Sequence, residues 1–133
     1  MHMKRMFILS IIAAAIAGVA ILKKSQKEPA APLPRQAWDL PRLLDLGSKD
    51  CTACTMLEPV LEELRTNYTG LLQVDFIDVW EHEEVATDYG VKIIPVQIFF
   101  DADGLELYRH QGFISAQEIV ERFEELGVDL NAE

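Results

Sequence analysis

Cysteine, histidine and basic residues are scarce in this chain of 133 residues, and each shortage bears on function. There are two cysteines and three histidines. A structural zinc site needs four ligands, and neither His82 nor His110 stands at ligand spacing from the cysteines. Residues 1–28 hold five basic side chains and one acid, whereas the remainder holds seven and 21, a net of −14. Phosphate binding needs a basic surface, so this balance argues against nucleic acid as a partner. It argues equally against adhesion to anionic lipid, and it serves solubility. There are no internal repeats and no long low-complexity segments, and the length suits one domain.

Long apolar runs are also few. The one present is Met6 to Leu22, interrupted only by Ser10 and followed by Lys23, Lys24 and Lys27. As a helix it would span roughly 26 Å, slightly short of a hydrocarbon core. It reads as a signal anchor or as a cleaved signal peptide, with Ala15-Ile16-Ala17 or Gly18-Val19-Ala20 as the small-residue site. The lysines directly after the run favour an anchor. No cysteine follows it, so lipid attachment there is unsupported. Basic residues on both sides of the run barely separate the two orientations; a short basic N-tail that stays inside puts the following domain outside the cytoplasm. Residues 1–22 are thus expected to be the anchor, 23–37 a proline- and alanine-rich linker, and 38–133 a folded domain.

The two cysteines stand three apart, as Cys51-Thr52-Ala53-Cys54, after the apolar run Leu43-Leu44-Asp45-Leu46-Gly47. From about Thr52 to Asn67 the pattern is helical, with Met56, Leu57, Val60, Leu61 and Leu64 apolar and Glu58, Glu62, Glu63 and Arg65 polar. A thiolate is stabilised where a helix begins, and this spacing lets the second thiol attack a mixed disulfide formed by the first. Two thiolates could instead hold copper(I), or form part of a zinc site, in a chaperone or tethered adaptor. Further on, Leu71 to Val79 alternates as a strand. An acidic segment around Val85, Ala86 and Tyr89 reads as a short helix stopped by Gly90. Val96 to Phe100 reads as a buried strand and Asp101 to Gly104 as a hairpin turn. Leu105 to His110 is the returning strand. Ser115 and Glu118 make a capping box for a last helix with Ile119, Val120, Phe123 and Leu126 inside. The expected architecture is a mixed sheet covered by helices on both faces. Trp80, Phe99, Phe100, Phe113 and Phe123 read as core, and the histidines as surface.

Over roughly residues 37–128 the chain resembles the thioredoxin family. The likeness is carried by the cysteine pair, by Asp45 six residues before Cys51, by Pro59 five after Cys54, where the family kinks its active-site helix, by Ile94-Pro95 ahead of an apolar strand, and by Gly104 and Gly112. It implies an α/β thioredoxin fold with a central mixed β-sheet flanked by helices, here preceded by one N-terminal hydrophobic helix. It implies thiol–disulfide exchange with disulfide-containing proteins, with Cys51 as nucleophile and Cys54 as the resolving thiol. Asp45 would accept the proton of Cys54, and Ile94 with a cis Pro95 would receive an extended substrate. No cofactor and no metal are implied.

Three features depart from the family pattern. Asp50 stands before Cys51 in place of an aromatic residue, where it either disfavours a thiolate or caps the helix. The intervening pair is Thr-Ala, which looks more like the thioredoxin-like domain of transmembrane thiol reductases that deliver electrons to the periplasm. Val74 is read at the place where the family often has a lysine near the buried carboxylate. A reductant is expected, with a membrane electron donor and a periplasmic disulfide protein such as an apocytochrome as partners.

Overall fold

The computed structural model describes residues 39–131. The run Met6 to Leu22, the linker and Trp38 lie outside them. Among the described residues no helix is long and apolar enough to cross a membrane.

Four strands form one sheet: β1 (Arg42–Gly47), β2 (Gln73–Asp78), β3 (Val96–Phe100) and β4 (Glu106–Gln111), in the order β2-β1-β3-β4. β1 runs parallel to β2 and antiparallel to β3, and β3 runs antiparallel to β4. The sheet is therefore mixed, as expected. The two inner strands are buried on both sides, which is why they read as near-continuous apolar runs rather than alternating ones.

Helices cover the two faces. On one face lie α2 (Glu58–Asn67) and α4 (Ala116–Glu125), whose Leu61, Leu64, Ile119 and Phe123 pack with Leu43, Val74 and Phe99. On the other, Val85, Ala86 and Tyr89 of the region around α3 (Glu83–Asp88) pack against Leu44, Leu46, Val96, Ile98 and Phe100. The capping box is present: the Ser115 hydroxyl accepts the N–H of Glu118, and the Glu118 carboxylate accepts the N–H of Ser115.

The structure corrects three readings, and the kink that the resemblance places at Pro59 is a full break. The helix expected over Thr52 to Asn67 is broken into α1 (Thr52–Thr55) and α2, with a turn at Met56 and Leu57. Pro59 has no N–H to donate to Thr55, so the ladder cannot run through this point. Trp80 is 60% exposed and Phe113 49% exposed, so neither is core. Each lies two residues past a strand end, Trp80 after β2 and Phe113 after β4. Val74 pairs with Leu43, and it is Phe76 that stands opposite Asp45. Finally, Asp50 does not cap a helix, because Cys51 itself occupies that position.

Candidate active site at Cys51 and Cys54

β1 ends in Gly47, and the chain turns through Ser48, Lys49 and Asp50 into α1. This turn is pinned by Asp78 at the end of the neighbouring strand. The Asp78 carboxylate accepts the N–H of Lys49 at 2.9 Å and that of Trp80 at 3.0 Å. The N–H of Lys49 foremost, and other donors around the group, hold the Asp78 carboxyl below the usual range. The N–H of Asp50 goes to the Ser48 hydroxyl at 3.3 Å. Sequence reading assigned Asp78 no part here; its only sequence signal was an acid closing a strand that pairs with the one before the cysteines.

Cys51 and Cys54 are disulfide-bonded, with Cα atoms 5.2 Å apart. Cys51 is half-buried and precedes α1, and its Sγ accepts the N–H of Cys54 at 3.4 Å. Such a donor favours negative charge on sulfur. This local contact, rather than a four-turn helix, is what the fold supplies to Cys51. Cys54 is one turn further in and only 4% exposed. The two thiols therefore differ in access, the first open and the second covered.

Cys54 rests on Gly47. A Cβ at residue 47 would lie 3.2 Å from both Cβ and Sγ of Cys54 and 3.1 Å from the Phe76 ring. Such contacts are tight, so a side chain here asks Cys54 and the Phe76 ring to give by a few tenths of an ångström, and both are packed into the core. Gly47→Ala is expected to cost about 1–3 kcal/mol, the range for overpacking, read as a lower midpoint in denaturant unfolding. An unchanged midpoint would mean that Cys54 yields without resistance.

Asp45 projects from β1 on the same face as Gly47, because alternate residues of a strand share a face. It is fully buried. Its register partner on β3 is Gln97, whose side-chain amide donates to Oδ1 at 2.7 Å. Each inner strand thus carries one polar interruption, and the two meet. Asp45 Oδ2 and Gln97 Oε1 have no partner among the described residues. Burial pushes the Asp45 carboxyl up to about 6, while the Gln97 hydrogen bond and the positive charge of Arg65 pull the other way.

The Ile94–Pro95 peptide bond is cis. Val96 pairs with Leu46, so the next step of that register sets Pro95 beside Gly47, the residue that Cys54 covers. The carbonyl of Pro95 accepts the N–H of Gly112, which has a φ of 99°. Ile94 is half-buried, Ile93 exposed. The cysteines, Asp45 and the Ile94–Pro95 step therefore gather at one end of the inner strands.

His82 is exposed and His110 half-buried, its ring nitrogen 3.1 Å from the carbonyl oxygen of Phe113. Among the described residues there is no group of three or more His, Cys, Asp or Glu side chains placed to hold a metal ion.

The family model described as Thioredoxin matches residues 36–125. Thioredoxin 1 of Nostoc sp. is 34% identical over 62 residues, covering 47% of this chain and 58% of that protein. A thioredoxin of Pseudomonas aeruginosa is 34% identical over 68 residues, covering 51% and 63%. One of Staphylococcus aureus is 35% identical over 80 residues, covering 60% and 76%. The chain thus spans less than two thirds of the length of the first two of these relatives. Among solved structures, chloroplastic thioredoxin z matches with a TM-score of 0.62 at 22% identity, over 68% of this chain and 81% of that one. A malarial protein matches with a TM-score of 0.61 at 23% identity, over 65% and 96%. At these identities the structures show a shared fold.

Proposed function

Because the chain belongs to the thioredoxin family, we propose that it is a thiol–disulfide oxidoreductase working through Cys51 and Cys54. One observation carries this reading: two bonded sulfurs at one strand end, the first accessible and receiving an N–H, the second covered. In the reducing direction, the Cys51 thiolate attacks one sulfur of a substrate disulfide. A bond forms between Cys51 and that sulfur, and the other substrate sulfur leaves as a thiolate. Cys54 then gives its proton to Asp45 and attacks Cys51 Sγ. The bond between the cysteines forms, and the bond from Cys51 to substrate breaks with its electron pair on the substrate sulfur. Water protonates the released thiolates. Two electrons have passed to the substrate, and the protein ends as the disulfide.

Asp45 suits the acceptor role because its Oδ2 is unpartnered and its affinity for a proton is raised. Ile94 and Pro95 suit the reception of an extended substrate, since proline leaves its neighbour's pairing group unmatched. The reducing direction fits Asp50, exposed next to Cys51, where its charge works against a very stable thiolate. Membrane attachment through residues 6–22, an extracytoplasmic domain and a membrane electron donor complete the reading. They rest on the sequence pattern of that run.

Reduction of insulin by the purified protein with dithiothreitol tests the activity. Precipitation of the insulin B chain is expected, and it should vanish in Cys51→Ser. If Cys51→Ser worked as well as wild type, the exchange reading would fall. Retention of copper or zinc through purification, without exchange activity, would favour a metal carrier instead.

A further inference from the structure

Gln97 is the one polar residue of β3, and it is fully buried. It stands opposite Asp45 of β1 on one side and opposite His110 of β4 on the other. Alternate residues of a strand share a face. The next row on this face is Leu43, Phe99 and Tyr108, packed with α2 and α4. Three polar side chains thus lie in one row across three strands, from a covered carboxylate through an amide to a half-buried imidazole.

Packing does not account for the amide. Leucine or methionine would fill the place without burying polar atoms, and Gln97 Oε1 has no partner among the described residues. A buried oxygen left in that state is costly, so what this side chain contributes lies at its other end. That end donates to Asp45 Oδ1 at 2.7 Å, between two fully buried side chains. An ionised carboxylate has no proton to give, so the NH2 end of the amide is the end that can face it. The bond survives protonation, because Oδ1 remains an acceptor when the proton sits on Oδ2.

We propose that Gln97 is a positioning residue for the Cys54 step: its amide holds Asp45 Oδ1 in both protonation states and leaves Oδ2 as the oxygen that takes the thiol proton. This rests on the proposed role of Asp45. The hydrogen bond from Gln97 is the larger of two effects that oppose burial at that carboxyl. The other is the charge of Arg65 on α2, a side chain that donates to the carbonyl oxygen of Val74 and pairs with Glu62. From β2 the facing residue is uncharged Phe76, while Asp75 pairs with Arg42 and Asp78 is bound to the turn before α1. Glu58 of α2 and Lys49 of the turn are exposed, and the two cysteines are joined. On β4 the His110 ring nitrogen is 3.1 Å from the carbonyl oxygen of Phe113, and Glu118 of α4 is bound to Ser115. Among the described residues, Gln97 is the side chain that donates to Asp45.

The test is a titration of the Asp45 carboxyl by side-chain carbon NMR in the full, oxidised chain, where no thiol titrates. It is paired with the pH profile of mixed-disulfide release in the reduced chain. Gln97→Met keeps the length of the side chain and removes the donor. The midpoint, about 6 in wild type, is expected to rise by about one pH unit. The acid limb of the release profile should rise with it, a loss of about tenfold at any pH below both midpoints. Gln97→Glu sets a second carboxyl against the first, and the Asp45 signal is expected to titrate in two steps as the pair shares one proton. A side chain that served packing alone would give neither result. An unmoved midpoint in Gln97→Met, or a single unshifted titration in Gln97→Glu, would overturn the assignment. So would a moved midpoint with an unmoved release profile, and Asp45→Asn then tells which reading has failed. If that variant also keeps the wild-type profile, the role of Asp45 falls; if it alters the profile, the role of Gln97 alone falls.

Discussion

Cys54→Ser, reduced and mixed with a disulfide-bonded protein, is expected to collect a covalent adduct that survives denaturation and is released by dithiothreitol. Cys51 can still attack, since it is the half-exposed sulfur and keeps the N–H of residue 54 as donor. Serine cannot resolve the mixed disulfide. Turnover should fall by about a thousandfold or more, the scale on which loss of a reacting group is felt. Cys51→Ser should form no adduct, because the remaining sulfur is 4% exposed. Non-reducing electrophoresis separates the outcomes. Equal adducts from both single variants would mean that either thiol meets substrate, against the asymmetry of the site.

Asp45→Asn is expected to stabilise the fold and slow the chemistry. In the folded protein burial raises this carboxyl from 3.8 to about 6. The folded state therefore holds its proton more tightly than the unfolded chain does. Stability from this group is full below about pH 4, is lost as pH rises through 6, and stays lost above. A difference of about 2 units corresponds to about 3 kcal/mol. Asparagine has no charge to bury. The variant should therefore match wild type near pH 4 and exceed it by up to about 3 kcal/mol at pH 8, measured by denaturant unfolding. Release of mixed disulfide should slow most above pH 6, where wild type has an ionised acceptor. Parallel stability curves for the two proteins would show that Asp45 ionises as an ordinary carboxyl.

Much of the site could be read in the order of residues. Asp45 in an otherwise apolar strand, two cysteines three apart, and a proline opening another apolar strand are local signals, and the sheet brings them together. The capping box at Ser115 and the inner face of α4 are equally local. What escaped reading depends on neighbours distant in sequence. Which β2 residue faces Asp45 is a matter of register, and one step of two residues exchanges Val74 for Phe76. Arg65 fits the polar stripe of its helix, yet its side chain reaches back to donate to the carbonyl oxygen of Val74. Trp80 and Phe113 are large and apolar, which predicts burial on average, but each lies two residues past a strand end and is exposed there. The break between α1 and α2 was signalled by Pro59 alone, a residue that helices accept in their first turn and not beyond it.

The most direct measurement is equilibration of the reduced protein with glutathione buffers of increasing oxidised fraction, followed by acid quenching, thiol alkylation and mass analysis. The expected result is one transition in which both cysteines lose their thiols together, with a loss of two hydrogens and no lasting glutathione adduct. Cysteines that stay reduced across the whole series, or that each carry glutathione without joining one another, would contradict it.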